Sequence, residues 1–197
     1  MESKKYNYTL LDLLCLIEFH KIFKPAQYDY NWGYENYDKA ITEWAEHEVM
    51  SGHESEPLLI LASLGLDKIP DHNDVHHYLN QFITMTGINY PEKKLSALNW
   101  LKIKLWMLSH CDDVRSVKRD LSFFNEYSFD YMPRFFAKTS RYLGWLHDYL
   151  FDDFTAENMT RADQMAQDEL LTFIRNHVKS FEQKLHNKEW ISVLTRE

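Results

Sequence analysis

"IPDHNDVHHYLNQFITMTG", residues 69–87, holds a complete helix signature in nineteen residues. Asp71 or Asn73 supplies the start, because a short side-chain oxygen ahead of an apolar run accepts from backbone N–H groups that have no partner within the helix. Val75, Tyr78 or Leu79, Phe82 and Met85 then recur at three- and four-residue steps, the period of one helical face. Gly87 supplies the stop, since glycine enters the left-handed conformation that ends helices at little steric cost.

The same grammar extends in both directions. Toward the C-terminus, "PEKKLSALNWLKIKLWMLSH" (91–110) opens with a proline in its first turn and repeats Leu95, Leu98, Leu101, Leu105 and Leu108. Asp112 and Asp113 open a helix to about Phe124, and Pro133 begins "PRFFAKTSRYLGWLHDYLFDDF". A last long helix is expected from near Thr155 or Asn158 through Ala162, Ala166, Leu170, His177, Phe181 and Leu185, with a short terminal helix or strand in "NKEWISVLTRE". Trp100, Trp106, Trp145 and Phe135-Phe136 sit at helical spacing among aliphatics and read as core.

Toward the N-terminus, "SEPLLILASLGL" (55–66) starts with Ser55 as cap and Pro57 in the first turn. It is apolar all round, which predicts the central buried helix. Before it, a helix from near Asn36 turns Tyr37, Ile41, Trp44, Ala45 and Glu48 inward and Asp38, Thr42, Glu43, Glu46 and Met50 outward, and ends at Ser51-Gly52. Thr9 caps a first helix through about Phe23, ended by Pro25. Its apolar stretch is broken by Asp12 and Glu18 and lacks a small-residue cleavage site, so it reads as an amphipathic helix rather than an export signal. Five glycines and five prolines in 197 residues suit long helices with short connections. The expected fold is all-α: one helical domain over 1–197, an irregular bundle of about eight helices, with layered helical pairs as the variant arrangement.

Two cysteines, Cys15 and Cys111, are too few for a disulfide framework and read as reduced thiols. No apolar run is long enough for a membrane span, so neither membrane nor export is expected and the chain is placed in the cytoplasm. A net charge of −8 disfavours nucleic acid as a ligand, because phosphates demand a basic face. Most of that charge is local. Residues 28–56 carry eight carboxylates against one lysine, Lys39, interleaved with Tyr28, Tyr30, Trp32, Tyr34, Tyr37 and Trp44.

Signals for catalysis are sparse. His47-Glu48 with His53 lacks the four-residue spacing that brings two histidines to one metal. In "DHNDVHH", His72 and His76 have that spacing, and Asp71 or His77 could add a ligand. However, Asn73-Asp74 reads as a helix start that leaves His72 outside the helix, and no further ligand is identifiable. "LHDYLFDD" contains His147-Asp148, the doublet of helical metal-dependent phosphohydrolases, with His110 and Asp152 or Asp153 as companions. There is no glycine-flanked serine elbow and no glycine-rich phosphate loop. No catalytic residue, metal or cofactor is therefore assigned, and the chain is expected not to be an enzyme.

The acidic, aromatic stretch is the strongest functional lead. Tyrosine and tryptophan are enriched at interface centres, and a field of one sign speeds capture of an oppositely charged partner. The expected contact residues are Tyr30, Trp32, Tyr34, Glu35, Asp38, Glu43, Glu46, Glu54 and Glu56, facing a basic protein. Residues 40–88 also carry a family pattern: Trp44-Ala45, Gly52, Ser55 and the apolar helix Leu58 to Leu64, followed by "NDVHHYLNQFITMTGI". In this the chain resembles the immunity proteins of bacterial polymorphic and contact-dependent growth-inhibition toxin systems. The resemblance implies a cytoplasmic protein that binds one cognate toxin, often a nucleic-acid enzyme with a basic surface, and neutralises it; it transfers no catalytic residue. The alternatives are a metal-dependent helical hydrolase built on His147-Asp148 and a helical adaptor for some other basic protein.

Overall fold

The computed structural model describes residues 5–22, 37–126, 133–152 and 159–196. Among these are nine α-helices, one 3-10 turn and no strand: α1 Leu10–Ile22, α2 Asp38–Met50, α3 Glu56–Leu64, α4 His72–Thr86, α5 Lys93–His110, α6 Val114–Glu126, α7 Arg134–Phe151, α8 Gln167–His186 and α9 Lys188–Leu194. The all-α expectation holds. None of these helices is long and apolar enough to cross a membrane. The chain divides into two compact units, Asn7–Glu92, and Lys93–Glu197 together with Met1–Tyr6.

The Asn7–Glu92 unit contains α1 to α4. Thr9 and Asp12 form a reciprocal box at the start of α1. The Thr9 N–H and hydroxyl donate to Asp12 Oδ2 at 3.0 and 2.8 Å, and the Asp12 N–H donates to Thr9 Oγ1 at 3.2 Å. This pairing of orphan donors lets Asp12 lie buried. Asp12 through Ile17 are buried at every position, so α1 is enclosed rather than amphipathic. In α3 only Pro57, Leu58 and Leu61 are buried, and Leu59 is 46% exposed. The enclosed apolar helix of this unit is therefore α1, and α3 packs one face only. The core joins Leu13, Leu14, Ile17, Ile41, Trp44, Leu58, Leu61, Val75, Leu79 and Ile83. α2 packs on α1, α3 and α4, and α3 packs on α4.

The start of α4 is Asp71, whose carboxylate accepts from the N–H groups of Asn73 and Asp74 at 2.9 and 3.2 Å. Its end is Gly87 at φ 70°, after which the Ile88 N–H donates to Ile83 O at 3.2 Å.

In the Lys93–Glu197 unit, α5 buries ten residues around its circumference, from Ser96 to Leu108. Trp100 lies in a ring cluster with Phe123, Phe124 and Phe136 at centroid distances of 5.4, 5.7 and 5.9 Å. α6 packs closely on α7. A Cβ on Gly144 would come within 2.8 Å of the Phe124 carbonyl oxygen, so the two backbones meet there without an intervening side chain. The last long helix begins later than the periodicity suggests. Thr160 and Asp163 form a second reciprocal box, Ala162–Gln164 make a 3-10 turn, Met165 is extended, and α8 starts at Gln167. Trp145, expected in the core, is 50% exposed and sits between Tyr142 and Tyr149, at 5.5 and 5.3 Å.

Candidate functional site

α2 supplies most of the candidate side chains. Its inner stripe is Asp38, Ile41, Thr42 and Ala45, at steps of three and four residues, with Trp44 alongside; all five are buried. This corrects the outward placement of Asp38 and Thr42. Polarity alone assigned both to solvent, but each finds a partner inside. The Thr42 hydroxyl donates to Lys39 O at 3.0 Å. Asp38, only 2% exposed, turns toward α4, and so does not belong to an open partner-binding face.

There it meets two imidazoles. His72 Nδ1 lies 3.1 Å from both carboxylate oxygens of Asp38, and His76 Nε2 lies 3.4 Å from Oδ1. His72 is the first residue of α4, inside the helix rather than before it, so His72 and His76 share one face with ring centroids 4.2 Å apart. Asp71 is occupied in capping, and His77 contacts Gln81 at 2.9 Å on the exposed side, so neither joins them. Burial lowers the pKa of His76 below the ordinary histidine value. The nearby His72 lowers it further, and the opposing pull of the Asp38 carboxylate does not restore it.

The remaining acids of the stretch divide by position. Glu46, Glu54 and Glu56 are exposed and make no hydrogen bond or ion pair. Glu43 is half-buried and engaged. Glu48, expected on the inner side, is half-buried and lies 2.8 Å from His53 Nδ1. Tyr30, Trp32, Tyr34 and Glu35 lie outside the described residues.

Beside these carboxylates opens a cleft of about 660 Å³, within the Asn7–Glu92 unit, between the starts of α1 and α3 and the ends of α2 and α4. Its lining includes Trp44 and Phe82, in edge contact at 5.6 Å, and Met85, which is well exposed. His47, Glu48, His53 and Glu54 form its polar side. Ser55 also lines it. It stands at the N-cap position of α3, as expected, yet its hydroxyl makes no capping bond, and Oγ is buried without any hydrogen-bond partner.

In the other unit, His147 Nδ1 lies 3.3 Å from Asp148 Oδ1, with Asp152 close enough to share an ion. His110 does not join this group. Its Nδ1 is 2.9 Å from Trp106 O in its own helix, and its ring stacks on Trp106 at 4.3 Å. Asp153 lies outside the described residues.

No protein-family model, curated protein or solved structure matches the chain.

Proposed function

We propose that the chain is a non-catalytic binding protein, the immunity partner of a bacterial toxin, which docks a basic surface of that toxin against the Asn7–Glu92 unit. The observation that supports this most directly is the set of exposed, unpaired carboxylates of Glu46, Glu54 and Glu56, close to a cleft floored by Trp44 and Phe82. Unpaired carboxylates on a surface repel one another and gain from a cationic partner, and the aromatic floor offers the desolvated contact that gives such an encounter lifetime. A lysine or arginine of the partner entering the cleft would also offer donors to Glu54 and to the orphaned Ser55 oxygen.

The test is co-expression of the chain with the product of the adjacent toxin gene. Growth should be rescued, and the triple variant Glu46→Lys, Glu54→Lys, Glu56→Lys should lose rescue and bind the toxin at least about tenfold more weakly, in line with like-charge juxtaposition at an interface. Undiminished affinity in that variant removes the proposed surface. Capture of a basic partner that is not a toxin favours the adaptor reading. The hydrolase reading draws on the His147, Asp148 and Asp152 group, and hydrolysis of nucleotides by the purified chain with added Mn²⁺ would support it instead.

A further inference from the structure

Asp38, His72 and His76 bring two imidazole nitrogens and one carboxylate to a point, and their ligand atoms all lie within 4.8 Å of one another. In a tetrahedral site with metal–ligand distances of about 2.0–2.1 Å, neighbouring ligand atoms stand about 3.3 Å apart. The two separations from Asp38 Oδ1, 3.1 Å to His72 and 3.4 Å to His76, bracket that edge length. The same spacing lets Asp38 face both rings before an ion arrives, so the three ligand atoms stand preassembled.

We propose that Asp38, His72 and His76 form a binding site for a late first-row divalent cation of the Zn²⁺ class, independent of any toxin. Two nitrogen donors and one oxygen suit Zn²⁺ and its neighbours and do not suit Ca²⁺ or Mg²⁺, which take all-oxygen cages. The donors differ in the way an open site requires. Asp38 is held from below at 3% side-chain exposure, while His76 and His72 rise to 28% and 58%, so the fourth position faces water and the ion has an entry path. Asp38 is the first residue of α2 and His72 the first of α4. A bound ion would therefore clamp together the starts of two helices in the same unit, and binding would add to its stability.

A further charge that acts on His76 is Lys21, whose ammonium lies over the Tyr90 ring at 4.6 Å and pairs with Glu18. Lys21 acts on the His76 side and opposes a cation there; its partner Glu18 offsets that charge.

The experiment is a calorimetric titration of the full chain, stripped with chelator and held at pH 7.5 in a non-coordinating buffer, with ZnCl₂. One equivalent should bind saturably and raise the melting temperature, while MgCl₂ at the same concentration should not. His72→Gln and His76→Gln, chosen because neither residue is in the apolar core, should each weaken Zn²⁺ binding by more than about tenfold, the minimum effect of losing even an outer-shell partner. Circular dichroism checks that both variants keep their helices. His147→Gln should leave the titration unchanged. Absence of a saturable equivalent in the wild type overturns the proposal. So does uptake that survives the two histidine variants or disappears with His147→Gln.

Discussion

The two units are made of the same kind of helix and both bury polar groups, but they surround them differently. In Lys93–Glu197 the centre is the enclosed α5, a four-ring cluster about Trp100, and a helix crossing at Gly144 close enough to exclude any side chain. In Asn7–Glu92 a carboxylate is buried against two histidines, a serine oxygen is left without a partner, and a cleft opens beside unpaired glutamates. Buried polar groups cost stability unless they are satisfied. The Lys93–Glu197 unit bears that cost as well, at Thr139, Ser140 and Arg175, whose buried side-chain atoms also lack a hydrogen-bond partner, whereas the orphaned oxygen of Asn7–Glu92, on Ser55, borders a cleft.

That contrast can be broken by mutation. The largest effect is expected at Phe136, fully buried in the ring cluster. Phe136→Ala should destabilise the protein by about 3–5 kcal/mol in a urea titration, from lost burial and the cavity left behind. A loss below about 1 kcal/mol would mean that the ring cluster does not carry this unit. Next comes Asp38→Ala, which removes the buried carboxylate that faces His72 and His76. The expected cost is about 1–3 kcal/mol in metal-free protein, the usual worth of hydrogen bonds to a charged group, since the two histidines themselves keep access to water. An unchanged midpoint would show that Asp38 is a bystander to stability and leave the polar centre without structural weight.

Acid should then reach the Lys93–Glu197 unit through its caps. The Ser116 hydroxyl, and then the Ser116 N–H, hold the carboxyl of Asp113 below the usual carboxylate value; for Asp163 the Thr160 N–H leads, followed by its hydroxyl. A carboxyl with a lowered folded pKa contributes stability above its unfolded value of 3.8, and that contribution is lost as pH falls through the folded value. The difference in melting temperature between wild type and Asp113→Ala/Asp163→Ala should therefore be full at pH 6 and close toward pH 2. A gap that stays constant across that range assigns the effect to something other than these charges. The smallest effect on stability is expected from the exposed acids. Glu46→Lys, Glu54→Lys and Glu56→Lys should each shift unfolding by less than about 0.5 kcal/mol while altering the salt dependence of partner association. A large stability change there would show that these side chains serve the fold.

What the sequence disclosed follows from how local each signal is. Asp71, Thr9 and Gly87 act on backbone groups within a few residues, and they were legible as starts and stops. Burial is not local in that sense. α3 has the more uniformly apolar sequence, yet α1 is the helix enclosed at successive positions, and Trp145 is as apolar as Trp100 but stands half in solvent. The polar centre was missed for a related reason. His72 and His76 carry the right spacing, but their partner lies 34 residues away from His72 on another helix, and charge argued for placing it outside. A signal was present nonetheless. Asp38 continues the stripe of Ile41, Thr42 and Ala45, and a polar residue on an apolar stripe calls for a partner across the interface.

The chain's pair of thiols falls one to each unit. Cys15 is fully enclosed in α1, whereas Cys111 is half-exposed just past the end of α5. A maleimide dye would thus mark Cys111 on the native protein at once and reach Cys15 only when α1 opens. The molecule carries its own pair of clocks, able to report whether its two halves come apart together or in turn.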